Sequence, residues 1–326
     1  MSLILVAVPA TGHLPLGRAR ILHAAWAEAR RIGARFVLAV DDTLPPRPGA
    51  PLDDLAWLGL EWDDQVPRSA HAAHHAEAAD RLAASGRLYP CFEHADELRA
   101  KAVRQRKRGQ PVIYDRAMLR LTETQREAAE AGGKRPHWRF RLSDLVLAWP
   151  DANLGRVEVA LPTMSDPVLR TADGTVDAVL AHAADDIALG VTHIVGAAEL
   201  VAQTAIHLDL LAALGTNPTM RTMRHLPVLA EAGDRRLQGQ SIRALRHDGI
   251  APAALCSWFE ALAHESAPRA AIDDLLEHNR RVVASLPFAE VAHLLPGADE
   301  AHWLAVRGQI DLITDARDSL PRVGKS

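Results

Sequence analysis

The sequence predicts an α/β protein built on a parallel sheet, and three observations carry that prediction. An apolar run at Leu3–Val8 passes through a glycine-containing loop into a helical pattern at Gly17–Ile32, and a second apolar run follows at Arg35–Val40. A helix–strand–helix pattern recurs at Val176–Ala184, Thr192–Val195 and Val201–Leu214. The early apolar runs are rich in Val and Leu without strict alternation, as in parallel strands covered on both faces. Between the two patterns lies a charged, helix-forming stretch from about Ala76 to Leu142, and beyond Ala251 only helical periodicity remains. At 326 residues and 48% hydrophobic content the chain can bury an ordinary core. Its length suggests two or three packed units at roughly 150 residues each.

Each element has a local reason. Pro9-Ala10-Thr11-Gly12-His13-Leu14 stands between the first strand and helix, an order that brings backbone N–H groups and a positive helix end toward a phosphate. Pro15 favours the start of the helix. Pro45-Pro46-Arg47-Pro48 ends the next strand, and Pro51–Leu60 predicts a short helix turning Leu52, Leu55, Trp57 and Leu58 inward. Leu145–Ala148 and Val157–Leu161 read as strands joined at Asn153-Leu154-Gly155. Gly215 and Pro218 close the helix at Val201–Leu214. Ala251–Leu262, Ala270–Leu286, Phe288–Leu295 and Ala301–Ala316 read as a helical tail.

Two clusters invite a chemical reading. His71 and His75 lie one helical turn apart, with His74 beside them, a spacing that suits a transition metal. An alanine-rich solvated helix explains the same pattern. Because spacing identifies no third ligand, no metal is expected there. Lys101, Arg104, Arg106, Lys107 and Arg108 form the chain's basic run, either a solvated face or a set of phosphate contacts.

Composition sets bounds. A net charge of −4 provides no general attraction to nucleic acid, so RNA contact needs a local basic face and DNA is not an expected partner. Two distant cysteines, Cys91 and Cys256, point to a reduced, cytoplasmic protein. The N-terminal apolar run is too short for a signal peptide, and no segment reaches the ~18 apolar residues of a membrane span.

The loop at Pro9–Arg20 resembles the first signature of class I glutamyl-tRNA synthetases, P-S-P-T-G-x-L-H-I-G-x-A-R. Phe36-Val37-Leu38 with Asp41-Asp42-Thr43 and Arg47 is similar to the family's F-x-L-R-x-[ED]-D-T-D-x-x-R. Leu55–Asp63 is similar to D-L-x-W-L-G-L-x-W-D. Further blocks follow in the family's order: Gly86–Cys91, Tyr114-Asp115-Arg116, Pro136–Arg141, Ser165–Leu169, Ala172–Thr175, Asp185-Asp186 and Gly190–His193. Leu304–Ile310 resembles the stem-contact region of proteobacterial members.

The resemblance implies a class I aminoacyl-tRNA synthetase-like Rossmann core holding an inserted acceptor-binding-type domain, then a helical stem-contact-like region without an anticodon-binding domain. The implied boundaries are 1–75 and 165–228 for the two halves of the core, 76–164 for the insertion and 229–326 for the helical region. It places nucleotide contacts at Gly12, His13, Gly17, Arg18, Arg20 and Arg235, and the amino-acid pocket at Leu5, Pro9, Asp41, Ala178, His182 and Gly196. It places RNA contacts at Arg104, Arg106, Lys107 and Arg108.

At several of these positions the side chain departs from the family pattern. Pro15 takes the place of a phosphate-contacting histidine, and Arg18 that of a second, variable one. Leu5, Pro9, Ala178 and Gly196 take the places of an arginine, a serine, a tyrosine and an arginine. Asp234 and Arg235 overlie the serine and lysine of the family's L-S-K-R-L loop, and His71 overlies an arginine. The family's zinc site uses Cys-x-Cys and Tyr-x-x-x-Cys, where this chain has Cys91-Phe92-Glu93 and Tyr114 with Met118, so zinc is not expected. No cofactor is expected with certainty, and ATP binding is expected to be weakened. The expected function is a glutamyl-tRNA synthetase-like protein, unable to form glutamyl-adenylate, that handles tRNA or a nucleotide. The alternatives are a silent protein-binding or regulatory paralogue, or a ligase using another amino acid or acceptor.

Overall fold

The computed structural model describes residues 1–227, 241–263, 272–317 and 319. Chain order begins with β1 (Leu3–Pro9), α1 (Leu16–Ile32), β2 (Arg35–Asp41), α2 (Pro51–Trp57), β3 (Asp64–Pro67), α3 (Ala72–Ala84) and β4 (Leu88–Cys91). It continues with α4 (Ala95–Lys107), α5 (Glu123–Ala131), β5 (His137–Phe140), β6 (Val146–Asp151), β7 (Gly155–Ala160) and β8 (Val168–Arg170). Then come α6 (Ala178–Leu189), β9 (His193–Ala197), α7 (Val201–Ala213), β10 (Thr222–Leu226) and α8 (Ile242–Asp248). The chain closes with α9 (Pro252–Ala263), α10 (Ile272–Val283), α11 (Phe288–Val291) and α12 (Glu300–Val306).

The chain divides into two compact units. The first comprises Met1–Val66, Val195–Glu199 and His225–Ser326. In it β1 and β2 pair in parallel with Leu3 opposite Arg35 and Val8 opposite Val40, as their apolar runs predict. Ile4, Val6, Leu22, Phe36 and Leu38 pack with Leu255, Trp258 and Phe259 of α9 into one core. A second cluster joins Ala254, Val283, Val291 and Trp303 in the helical tail. Gly33 ends α1 in the left-handed conformation, at φ 64°, which glycine adopts without steric cost.

The second unit comprises Pro67–Ile194 and Leu200–Arg224. Here β10 pairs in parallel with β6 at Met223 and Asp151, and β6 forms an antiparallel hairpin with β7. A separate three-stranded sheet has the order β4-β5-β8. Phe140, Leu180, Leu208 and Leu211 form this unit's core. Asp177 caps α6 by accepting the Val179 N–H at 2.9 Å, and Gly190 ends it at φ 70°.

Several boundaries differ from those the pattern predicts, each for a local reason. α2 stops at Trp57, because Gly59 turns at φ 74° and the Leu60 N–H returns to the Leu55 carbonyl. α6 starts two residues later than expected and runs five further, between its Asp177 cap and Gly190. The expected helix Ala301–Ala316 is two pieces, α12 and a 3₁₀ turn at Ile313–Arg317. There the Asp315 carboxylate captures the N–H groups of Asp311 and Leu312, and Asn279 donates to the Asp311 carbonyl at 2.6 Å. The strands β4, β5 and β8 escaped the sequence reading, since three or four residues are too few to show a period.

One core group makes the first unit pH-sensitive. His23 is 2% exposed, lies against Trp26 and Phe259 at ring separations of 5.8 and 5.5 Å, and its Nε2 has no hydrogen-bond partner among the described residues. Burial lowers its pKa from 6.5 to about 4. The unfolded chain therefore takes up a proton between pH 6.5 and 4 that the folded one refuses. Stability is expected to fall by about 3 kcal/mol as pH drops through that window. Denaturant titrations at pH 7 and 4.5 check this. His23→Leu removes the titration and should flatten the difference, whereas an unchanged slope would exclude His23 as its source.

Candidate functional site

The first loop is held by its backbone. Gly12 and Gly49 adopt φ of 106° and 119°, and the Gly12 N–H donates to the Gly49 carbonyl at 3.3 Å. A Cβ on Gly49 would collide with the Gly12 carbonyl oxygen, so this crossing requires glycine. The Arg47 N–H donates to Thr11 Oγ1 at 3.0 Å. Beyond the loop, the Leu14 carbonyl accepts the Ile242 N–H at 2.9 Å, and Pro15 bridges Ser241. Pro15 occupies the N-cap of α1 at φ −68°, ψ 147° and supplies no side-chain cap. Its ring suits the turn but offers no proton.

The arginines expected at the phosphates have other partners in this unit. Arg18 is half-buried and donates to the Ala7 carbonyl, and desolvation lowers its pKa. Arg20 is 3% exposed, donates to the Pro227 carbonyl and feels the charge of Glu199. His13 and Arg47 are exposed, and Gly17 lies in the first turn of α1. Asp234, Arg235 and Arg236 lie outside the described residues.

The amino-acid pocket positions divide between the units. Leu5 and Pro9 on β1, Asp41 at the end of β2 and Gly196 on β9 belong to the first. The Asp41 carboxylate accepts the Thr43 N–H and hydroxyl at 3.1 and 2.6 Å. A Cβ on Gly196 would stand 3.3 Å from Cδ2 of the fully buried His225. Ala178 and His182 lie on α6 in the second unit, both half-buried.

The basic run lies at the C-terminal end of α4. Arg104, Arg106, Lys107 and the C-capping Arg108 are all exposed, and among the described residues none has a carboxylate partner. Lys101 is instead paired with Glu93 and Asp115. Beside α4 lies an open cavity of about 420 Å³, lined by Lys101, Arg104, Arg108, Tyr114 and Arg139. The Arg139 guanidinium lies 4.3 Å from the centre of the Tyr114 ring. Exposed cations beside an open cavity suit a phosphate backbone.

At the positions of the family's zinc site, the side chains hold one another. The Tyr114 hydroxyl donates to Glu93 at 2.6 Å and lies 3.6 Å from the Cys91 sulfur. Burial pushes the Cys91 thiol up to about 11, so it is not a thiolate near neutrality.

The structure also gathers a group that the sequence left incomplete. His71 Nδ1 and His75 Nε2 each lie 2.8 Å from the same oxygen of Asp185. His71 is the last residue of a 3₁₀ turn rather than part of α3 as expected, yet it reaches the carboxylate that His75 reaches. Spacing alone identified no third group beside the two histidines; packing brings the Asp185 carboxylate to both from α6, far away in the chain. Burial raises the pKa of this carboxyl, but the hydrogen bonds from His75 and His71 outweigh it and keep the group below its ordinary value. Nearby, His74 Nε2 lies 3.2 Å from the Ala184 carbonyl and His207 Nε2 lies 2.8 Å from Asp186.

Comparison with known proteins decides the family. The family model described as tRNA synthetases class I (E and Q), catalytic domain, matches residues 7–261. The chain belongs to this family. It is 42% identical to glutamate–tRNA ligase 2 of Acidiphilium cryptum over 94% of this chain and 76% of the relative. Identity is also 42% to glutamate–tRNA ligase 2 of Gluconobacter oxydans, over 93% and 75%. Among solved structures, the glutamate-tRNA synthetase of Elizabethkingia anophelis is similar at a TM-score of 0.80 and 17% identity, over 97% of this chain and 80% of that one. A glutamate tRNA ligase from Elizabethkingia meningosepticum in complex with its amino acid gives 0.78 and 17%, over 97% and 79%. The fold is thus the Rossmann-like α/β core of class I synthetases. Among the described residues no helix is long and apolar enough to cross a membrane.

Proposed function

We propose that this family member binds tRNA, through the basic C-terminal end of α4, without forming glutamyl-adenylate. The observation that carries this reading is the set of side chains at the pocket positions. Leu5, Pro9, Ala178 and Gly196 offer no side-chain hydrogen bond to a glutamate, and Pro15 offers no donor to a phosphate. The cations of α4, which have no carboxylate partner among the described residues, and the adjoining cavity support retention of RNA contact. A net charge of −4 means that such contact must come from this local face. The arginines near the first loop argue less for a free nucleotide, since Arg18 and Arg20 already meet carbonyls.

Titration of labelled tRNA at two salt concentrations tests the reading. Binding is expected to weaken steeply with salt, with a log–log slope that grows by somewhat less than about one for each phosphate neutralised. Arg106→Ala with Lys107→Ala should reduce affinity by roughly tenfold and lower the salt slope by about two. Binding unaffected by that pair would remove α4 as the contact. Absence of binding at low salt would instead favour a protein-partner role.

A further inference from the structure

We propose that His71, His75 and Asp185 form a site for one divalent transition-metal ion, with zinc or cobalt best matched to two imidazoles and a carboxylate. The three ligand atoms all lie within 4.8 Å of one another. A tetrahedral ion with bonds of about 2.1 Å holds its ligands about 3.4 Å apart. Both imidazole nitrogens stand 2.8 Å from Asp185 Oδ1, so each would withdraw from it by about half an ångström, while the two nitrogens, within 4.8 Å of each other, would settle at about the same tetrahedral spacing.

The setting favours an ion over a plain hydrogen-bonded cluster. A structural histidine is satisfied by one acceptor, as His74 is by the Ala184 carbonyl. Here two imidazoles converge on one carboxylate oxygen whose side chain is 4% exposed. His75 is equally buried, while His71 is 26% exposed and keeps the group open to solvent. Three protein ligands with one open side leave the fourth coordination position for water. The ligands come from α6, from α3 and from the turn that precedes it, so the ion would cross-link two packed elements of the second unit. To ligate the ion, each ring would carry its hydrogen on the other nitrogen, Nε2 in His71 and Nδ1 in His75, leaving the nitrogen beside Asp185 free to bind.

The test uses the untagged, metal-free full chain. Titration with Co²⁺, followed by visible absorption and equilibrium dialysis, should show one ion per chain with the d–d bands of a four-coordinate site. Zn²⁺ should displace it and raise the melting temperature. His71→Ala alters a partly exposed side chain and should weaken uptake by about 100-fold or more, since even changes outside the ligand set cost 10–100-fold. His71→Gln is a second variant should the alanine form fold poorly, and Asp185→Asn should abolish uptake. His74→Ala should retain it. No stoichiometric uptake by the wild-type chain would overturn the site. So would uptake unchanged in the His71 and Asp185 variants, which would place the ion on other histidines.

Discussion

Glutamate-dependent ATP–pyrophosphate exchange is expected to be absent, with or without tRNA. Each hydrogen bond to a charged group contributes on the order of 1.5–3 kcal/mol, and on the function proposed above four such side chains of the family pattern are replaced by Leu5, Pro9, Ala178 and Gly196. Loss of four at the lower figure amounts to about 6 kcal/mol, or roughly 10⁴-fold in binding. On the same reading, leucine and glycine would also leave a glutamate's carboxylates without the planar guanidinium that neutralises them. Pro15 adds a separate loss, since it cannot donate to charge developing on a phosphate. Simple reversal is hindered as well. A side chain at Gly196 must displace the buried His225, 3.3 Å from the new Cβ, so Gly196→Arg alone is expected to destabilise the first unit rather than restore activity. Exchange within tenfold of an active glutamyl-tRNA synthetase, at matched enzyme concentration, would sink the proposed loss of adenylation.

Asp166→Ala is expected to unfold the second unit or destabilise it by about 3–5 kcal/mol. The side chain of Asp166 is fully buried and accepts the Tyr89 hydroxyl at 2.7 Å, the Leu142 N–H at 3.1 Å and two N–H groups of Arg116 at 2.9 and 3.0 Å. Removing the carboxylate strands a hydroxyl and a backbone N–H and leaves the Arg116 guanidinium with only the exposed Asp144 carboxylate at 3.2 Å and the Leu142 carbonyl at 2.9 Å. Arg116 is itself held at φ 54°, a conformation costly for a non-glycine residue, which these bonds help to maintain. Asp166→Asn keeps the shape but loses the charge, so it should cost less than the alanine variant. Chemical denaturation of the two variants checks the order. Equal stability of wild type and Asp166→Ala would show that the cluster contributes nothing net.

The local architecture was legible because it rests on short-range physics. The apolar runs of β1 and β2, the helix between them and the α6–β9–α7 succession each follow from periodicity and capping within a dozen or so residues. The ordered motifs, from the Thr11-Gly12 loop to Val191-Thr192-His193, likewise sufficed for the family. What tertiary structure alone decided is which distant side chains meet. Asp185 lies 110 positions from His75, Asp166 lies 50 from Arg116, and Pro227 lies 207 from Arg20. No period or spacing joins such pairs, because their distance is set by how α3 packs on α6 and how loops close over buried carboxylates. For the same reason the sequence showed two histidines in search of a ligand, and only packing within the second unit brought Asp185 to them.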